Sequence, residues 1–292
     1  MKRVFVTALT ALLILVMIFS AVSCQNGTTT KNNVRPDPST PTEPGDDPVA
    51  TGVITFSDTG VDVGETGAAY ANGVLTITKP GSYTLTGSAG ALGVVVTVEK
   101  TEQVELILDN ASITNPNGPA INCTSADKLF VTAKEGTVNN LKDGTGYTDA
   151  DGPNAAIYSS DDLTIRGEGT LNVFGLYKNG ISSKNDIKIK DLTLTVDAYN
   201  TAVRGKGSVT IVSGNVTVKA GKDGLKSTED QKDGKGFILI EDGTVSITAN
   251  DDAMQAEISI TIIAGKVTAV ADGKITNAPL VDVAEGTLNA NV

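Results

Sequence analysis

The stretch GISSKNDIKIKDLTLTV (residues 180–196) is followed by AVRGKGSVTIVSGNVTV (residues 202–218), and the two superpose residue for residue at a step of 22. Ile181, Ile187, Ile189, Leu194 and Val196 fall on Val203, Val209, Ile211, Val216 and Val218. Working outward, AIYSSDDLTIRGEGTLNV (156–173) precedes the pair, and GLKSTEDQKDGKGFILIEDGTVSI (224–247) and AMQAEISITIIAGKVTAV (253–270) follow it. The unit starts are 24, 22, 22 and 29 residues apart, the last step lengthened by a polar insertion around residues 228–235. A looser unit opens at Ala120, before an insertion rich in Asp and Gly at residues 142–154. Each unit holds short alternating runs of Val, Ile and Thr broken by Gly, which is a strand signature and not a helical one.

Three short strands per unit, repeated in register, predict a right-handed, single-stranded parallel β-helix with three strands per coil, an all-β solenoid. The alternative is a β-propeller, whose blades need about 40–45 residues each. Residues 52–112 read as less regular N-terminal capping coils, and residues 113–292 as the regular body.

The N-terminus carries a different message. Lys2 and Arg3 precede an uncharged run at 4–22 that ends in Ser23-Cys24. A basic head, an apolar core and a small-residue cleavage site make residues 1–23 an export signal. The cysteine at the cut makes that signal resemble a lipobox, with Cys24 as the lipidated residue and Ala21 where leucine is usual; an ordinary signal peptide is the alternative. Residues 24–51 hold Pro36, Pro38, Pro41, Pro44 and Pro48 among Thr, Asn and Asp, a tether that cannot bury enough apolar surface to order itself. The chain is thus expected to be exported, monomeric and held to a membrane only through its N-terminal lipid. Cys24 and Cys123 are the only cysteines, so Cys123 is expected to be a small buried residue without a partner.

With 23 basic against 34 acidic residues, net charge −11, the chain lacks the basic footprint of a nucleic-acid binder. It has no histidine, which removes His-based triads and bases. The repeat turns positions into columns. Asn179, Thr201, Asp223 and Asp252 precede the first strand of successive units, with Asn200 and Asp251 one residue earlier. Strands stacked about 4.8 Å apart bring oxygens to about twice a calcium–oxygen distance of 2.3–2.6 Å. Asp223 with Asp251 and Asp252 is therefore the expected calcium site, with Glu229, Asp230, Asn179 and Asn200 as further candidates; solvated turn residues are the alternative.

An outward column of Tyr158, Ser182, Arg204, Lys226 and Gln255 follows the same register. Arg204 and Lys226 can bind an anionic polymer such as a uronic-acid chain through charge-assisted hydrogen bonds, and Tyr177 with Tyr199 can offer flat faces to sugar rings. Chemistry is poorly provided for. No carboxylate pair has acid–base spacing, and only a lyase step with Lys226 as base on a calcium-neutralised uronate has a candidate residue. A lysine beside acids keeps its charge, which argues against that role.

At residues 154–157, 179–183, 223–227 and 252–256 the chain resembles the bacterial calcium-binding parallel β-helix proteins called carbohydrate-binding domain-containing proteins, over about residues 100–273. The resemblance implies a fold akin to polysaccharide lyases, calcium held by corner acids, and binding of pectic or cellulosic polysaccharide without cleavage, with Asp223, Asp251 and Asp252 in the metal role. The chain departs from that family at Asn200-Thr201-Ala202, where an acid and a glycine are common. A calcium-dependent pectate lyase and a structural or adhesive surface repeat are the competing readings.

Overall fold

The computed structural model describes residues 47–57, 59–145, 147 and 152–291. The signal segment 1–23, Cys24 and nearly all of the tether lie outside the described residues. Those described form an all-β fold of one 18-stranded and one ten-stranded sheet. Pairing is parallel except at the start of the chain, where Ala50–Ser57 runs antiparallel to Gly60–Asp62, and Ala69–Ala71 to Val74–Ile77.

This pairing corrects the expectation of a β-helix with three separate short strands per coil. The strand Gln103–Thr114 is twelve residues long and serves two neighbours along its length. Its first half pairs with Lys128–Ala133 and its second with Val138–Lys142. Two expected stacks are therefore one sheet, which curls round the core as a large barrel-like parallel wall. The physical cause is local. Asn110 takes a φ of 54°, and the pairing with Gly81–Ala89 shifts register between Thr86 and Gly87. A bulge of this kind turns the chain while keeping its ladder intact.

Beyond that point the registers are regular. Ile157, Ile181, Val203, Leu225 and Met254 are partners in successive strands of the ten-stranded sheet. Each is 0% exposed, facing Ile165, Ile189, Ile211 and Ile240 from the other sheet within one apolar cluster. Burying each such side chain contributes about 1.5–3 kcal/mol. Cys123 lies in this cluster as a free thiol, and burial pushes it up to about 11, so it stays protonated.

The large sheet carries a stressed acid at the start of the strand Asp162–Gly167. Asp162 is raised above the usual carboxylate range, first by burial and then by Asp186 one strand away. Asp186 is better served, receiving Ser208 Oγ at 2.9 Å and the Lys235 ammonium from the 228–235 insertion. A carboxyl raised in the folded state favours folding while protonated, and that advantage is lost as pH rises through its folded value. Asp162→Asn should therefore raise the denaturation midpoint at pH 7, with the gap to wild type closing as pH falls below the unfolded value near 3.8. Parallel denaturant titrations at the two pH values check this; an unchanged midpoint at pH 7 would contradict it.

Candidate metal centre and glycan face

Between consecutive layers the chain turns a corner, and polar side chains there form a ladder. Asn179 Nδ2 donates to Asn154 Oδ1 at 3.1 Å, and Asn179 Oδ1 accepts from Thr201 N at 3.3 Å. Thr201 Oγ1 donates in turn to Asp223 Oδ2 at 3.4 Å. From the other end, Asp252 accepts Lys274 N at 2.8 Å and Asn277 Nδ2 at 2.6 Å, one on each oxygen. The backbone of Gly224 donates to Asp252 O at 2.9 Å, which fixes the Asp223 and Asp252 corners one layer apart.

The ladder has one gap, at Asp223. Its Oδ2 is held by Thr201 and by Lys226 Nζ at 2.8 Å, but its Oδ1 is buried with no hydrogen-bond partner. Asp223 is 2% exposed. A buried carboxylate oxygen left unpaired costs about 1–3 kcal/mol or more. What stands near it makes matters worse, because ligand oxygens of Asp223, Asp251 and Asp252 all lie within 4.8 Å of one another. Two charges at that spacing repel by about 3–4 kcal/mol at an effective dielectric of 20. Gly273 shapes the far wall, where a Cβ would stand 2.8 Å from both Asp251 O and Asp252 Oδ1.

Three carboxylates, one buried unpaired oxygen and a wall without a side chain suit a hard cation with oxygen ligands. The other expected ligands are not drawn in. Glu229 accepts Gln231 N at 3.0 Å and pairs with Lys206 at 3.5 Å, and these contacts hold it below its ordinary value. Asp230 is exposed on the same insertion and outside the cluster of three. Asn179 spends its amide on the ladder, while Asn200 lines a neighbouring cleft.

The outward column is in register as read, with Tyr158, Ser182, Arg204, Lys226 and Gln255 as successive partners. Its members differ in exposure. Tyr158 is 8% exposed and Ser182 is 1% exposed, so neither offers a surface. Arg204 donates to Thr228 Oγ1 at 3.2 Å, and burial draws its guanidinium below the ordinary value. No carboxylate among the described residues lies within ion-pair distance of it. Tyr177 packs on Tyr147 of the 142–154 insertion, centroids 4.3 Å apart, with Lys178 Nζ 4.8 Å over its ring. Tyr199 has no such cover and is 74% exposed.

Sequence reasoning missed Asn277 and Lys274, which secure Asp252, and Tyr147, which occupies Tyr177. Asn277 is legible only through its pairing with Gln255, in a segment too irregular to align by eye. Thr201 was in the right column but not seen as a donor to Asp223.

The carbohydrate-binding domain-containing proteins match this sequence over residues 71–290. The chain belongs to that family. A carbohydrate-binding domain-containing protein of Acetivibrio thermocellus is 36% identical over 217 residues, covering 73% of this chain and 76% of the relative. A polysaccharide lyase-like protein from C. thermocellum, solved as a gadolinium derivative, superposes with a TM-score of 0.80 at 35% identity. That superposition spans 82% of this chain and 99% of the other. As a carbohydrate-binding domain protein the chain has a polysaccharide-related role.

Proposed function

We propose that this protein binds an acidic, pectin-like or cellulosic polysaccharide without cleaving it, through a calcium ion held at the Asp223–Asp251–Asp252 corner. The observation that carries the reading is the buried, unpartnered Oδ1 of Asp223 among three carboxylates, in a chain of a carbohydrate-binding family. Asp223, Asp251 and Asp252 would hold the ion, which supplies charge neutralisation and open coordination positions for ligand oxygens. Gadolinium, present in the lyase-like neighbour, is likewise a hard cation that seeks oxygen.

Around that corner the chain's own residues do the recognising. Thr201 and Lys226 orient Asp223, and Lys274 and Asn277 orient Asp252. Arg204, desolvated and without a carboxylate of its own among the described residues, is the group that a sugar acid would satisfy. A lyase would need Lys226 as an uncharged base. Its ammonium instead donates to Asp223 at 2.8 Å, which supports binding over cleavage. On this reading the lipobox-like Cys24 and the tether display the domain at a membrane surface.

Affinity electrophoresis in polygalacturonate and in soluble cellulosic gels, with calcium or with chelator, tests the reading. Retardation that chelator abolishes is expected, with no absorbance from unsaturated chain ends on incubation with polygalacturonate. Such absorbance would make the protein a lyase, and no retardation on any glycan would leave a structural surface protein.

Lys226 also makes a prediction of its own. Its charge already sits on Asp223, so it competes with any cation there. Lys226→Met should tighten calcium binding about tenfold, roughly 1.4 kcal/mol, in a calorimetric titration. Unchanged or weaker binding would show that the ion does not use Asp223.

A further inference from the structure

Beside the acidic corner lies a notch that no sequence motif announces. Ala198, Ala220 and Ala249 are partners in three consecutive strands. The residues after them therefore stack as Tyr199, Gly221 and Asn250, and next to these as Asn200, Lys222 and Asp251. The backbone holds that register, Lys222 N donating to Asn200 O at 3.0 Å and Asp251 N to Lys222 O at 3.2 Å. Gly221 cannot carry a side chain, since a Cβ there would lie 2.0 Å from Tyr199 O. Its layer is left empty between the Tyr199 ring and Asn250, roughly 9–10 Å apart at two strand spacings.

The result is an open cleft of about 380 Å³, lined among others by Asp197, Tyr199, Asn200, Lys219, Lys222 and Asn250. That volume falls at the small end of the range of about 300–1,000 Å³ for small-molecule sites. Three features give it a chemistry. The Tyr199 ring is 74% exposed, an apolar face that the C–H side of a pyranose ring would cover. Asn200 and Asn250 bring amides that both donate and accept, as sugar hydroxyls require. Lys219 and Lys222 have no carboxylate within ion-pair distance among the described residues, so their ammonium groups are available to an acid. The cleft adjoins the cation corner along the chain, its lining residues Lys222 and Asn250 being the chain neighbours of Asp223 and Asp251.

We infer that this cleft is a subsite for a single uronic-acid residue of the glycan, with Tyr199 as its platform and Lys222 as the partner of its carboxylate. The inference rests on the polysaccharide reading above and deepens it: it names the sugar and places it beside the metal corner. It differs in its test, because Tyr199 and Lys222 lie outside the set of carboxylates that would hold calcium.

The intact protein in calcium buffer is titrated calorimetrically with trigalacturonate and with cellotriose. Tyr199→Ala should weaken trigalacturonate binding at least tenfold, and Tyr199→Phe should keep it within twofold of wild type. Lys222→Ala should weaken trigalacturonate at least fivefold, flatten its salt dependence, and leave any cellotriose binding unchanged. The Tyr199 side chain is outside the core, so its loss does not threaten folding. If wild type binds trigalacturonate and Tyr199→Ala binds it equally well, the subsite is wrong and the polysaccharide reading survives. If wild type binds neither sugar in calcium, both fall.

Discussion

Asp223→Asn should lower calcium affinity at least a hundredfold, about 2.7 kcal/mol, while leaving the metal-free protein within about 1 kcal/mol of wild-type stability. The two halves of this expectation come from the same atoms. In the absence of an ion, Asp223 is repelled by Asp251 and Asp252 and attracted by Lys226 at 2.8 Å. Removing its charge deletes both terms, and an amide oxygen still accepts from Thr201. With calcium the balance changes, because the buried Asp223 Oδ1 has no other bond to give up. Ligand binding to the folded state alone adds about 2.7 kcal/mol at a hundred times its dissociation constant. Wild type should thus gain that much in unfolding free energy at calcium a hundred times its dissociation constant, and the variant almost nothing. Equal calcium stabilisation of both proteins would remove Asp223 from the site.

Arg166→Met should cost about 3–5 kcal/mol of stability. Arg166 reaches Glu105 Oε1 and Asp47 Oδ1, each at 2.8 Å, donates to Thr132 Oγ1 at 3.2 Å, and lies 4.4 Å over the Phe130 ring. Burial alone would draw its guanidinium down, but the bonds to Glu105 and Asp47 push it above the ordinary value. Glu105 is 6% exposed, held otherwise by the hydroxyls of Ser82 and Thr132. Without Arg166 it becomes a buried charge lacking a counter-ion. Pairing the substitution with Glu105→Gln should recover more than half of the loss, since the penalty lies in the stranded charge and not in the missing bond. Denaturant titration of the two single variants and the double variant measures the coupling. A single-variant loss below about 1 kcal/mol would contradict the assignment.

The legible part of this molecule is what repetition makes legible. The 22-residue step between Ile181 and Val203 predicts their pairing and that of Arg204 with Lys226, and the 29-residue step of the next unit, once its insertion is set aside, puts Asp223 next to Asp252. Each of those neighbours follows from register alone. What escaped is what register does not encode. Asn110 at positive φ lets the strand Gln103–Thr114 turn without breaking, so two stacks become one barrel-like sheet, and alternation of apolar residues is the same either way. Long-range partners escaped too. Tyr147 covers Tyr177 from an insertion with no repeat, Lys206 takes Glu229 away from the acidic corner, and Tyr158 is buried although its position in the column faces outward. The Gly221 notch was open to view only in part: Tyr199 could be picked out as an aromatic, but not the empty layer beside it.

The most direct test of the account is a calorimetric titration of polygalacturonate into the wild-type protein, first saturated with calcium and then stripped with chelator. Binding through a cation held by Asp223, Asp251 and Asp252 predicts a clear isotherm with calcium and none without it, restored when calcium is returned. An isotherm of the same affinity in chelator would contradict that claim, because the glycan would then be held by a surface that owes nothing to the acidic corner.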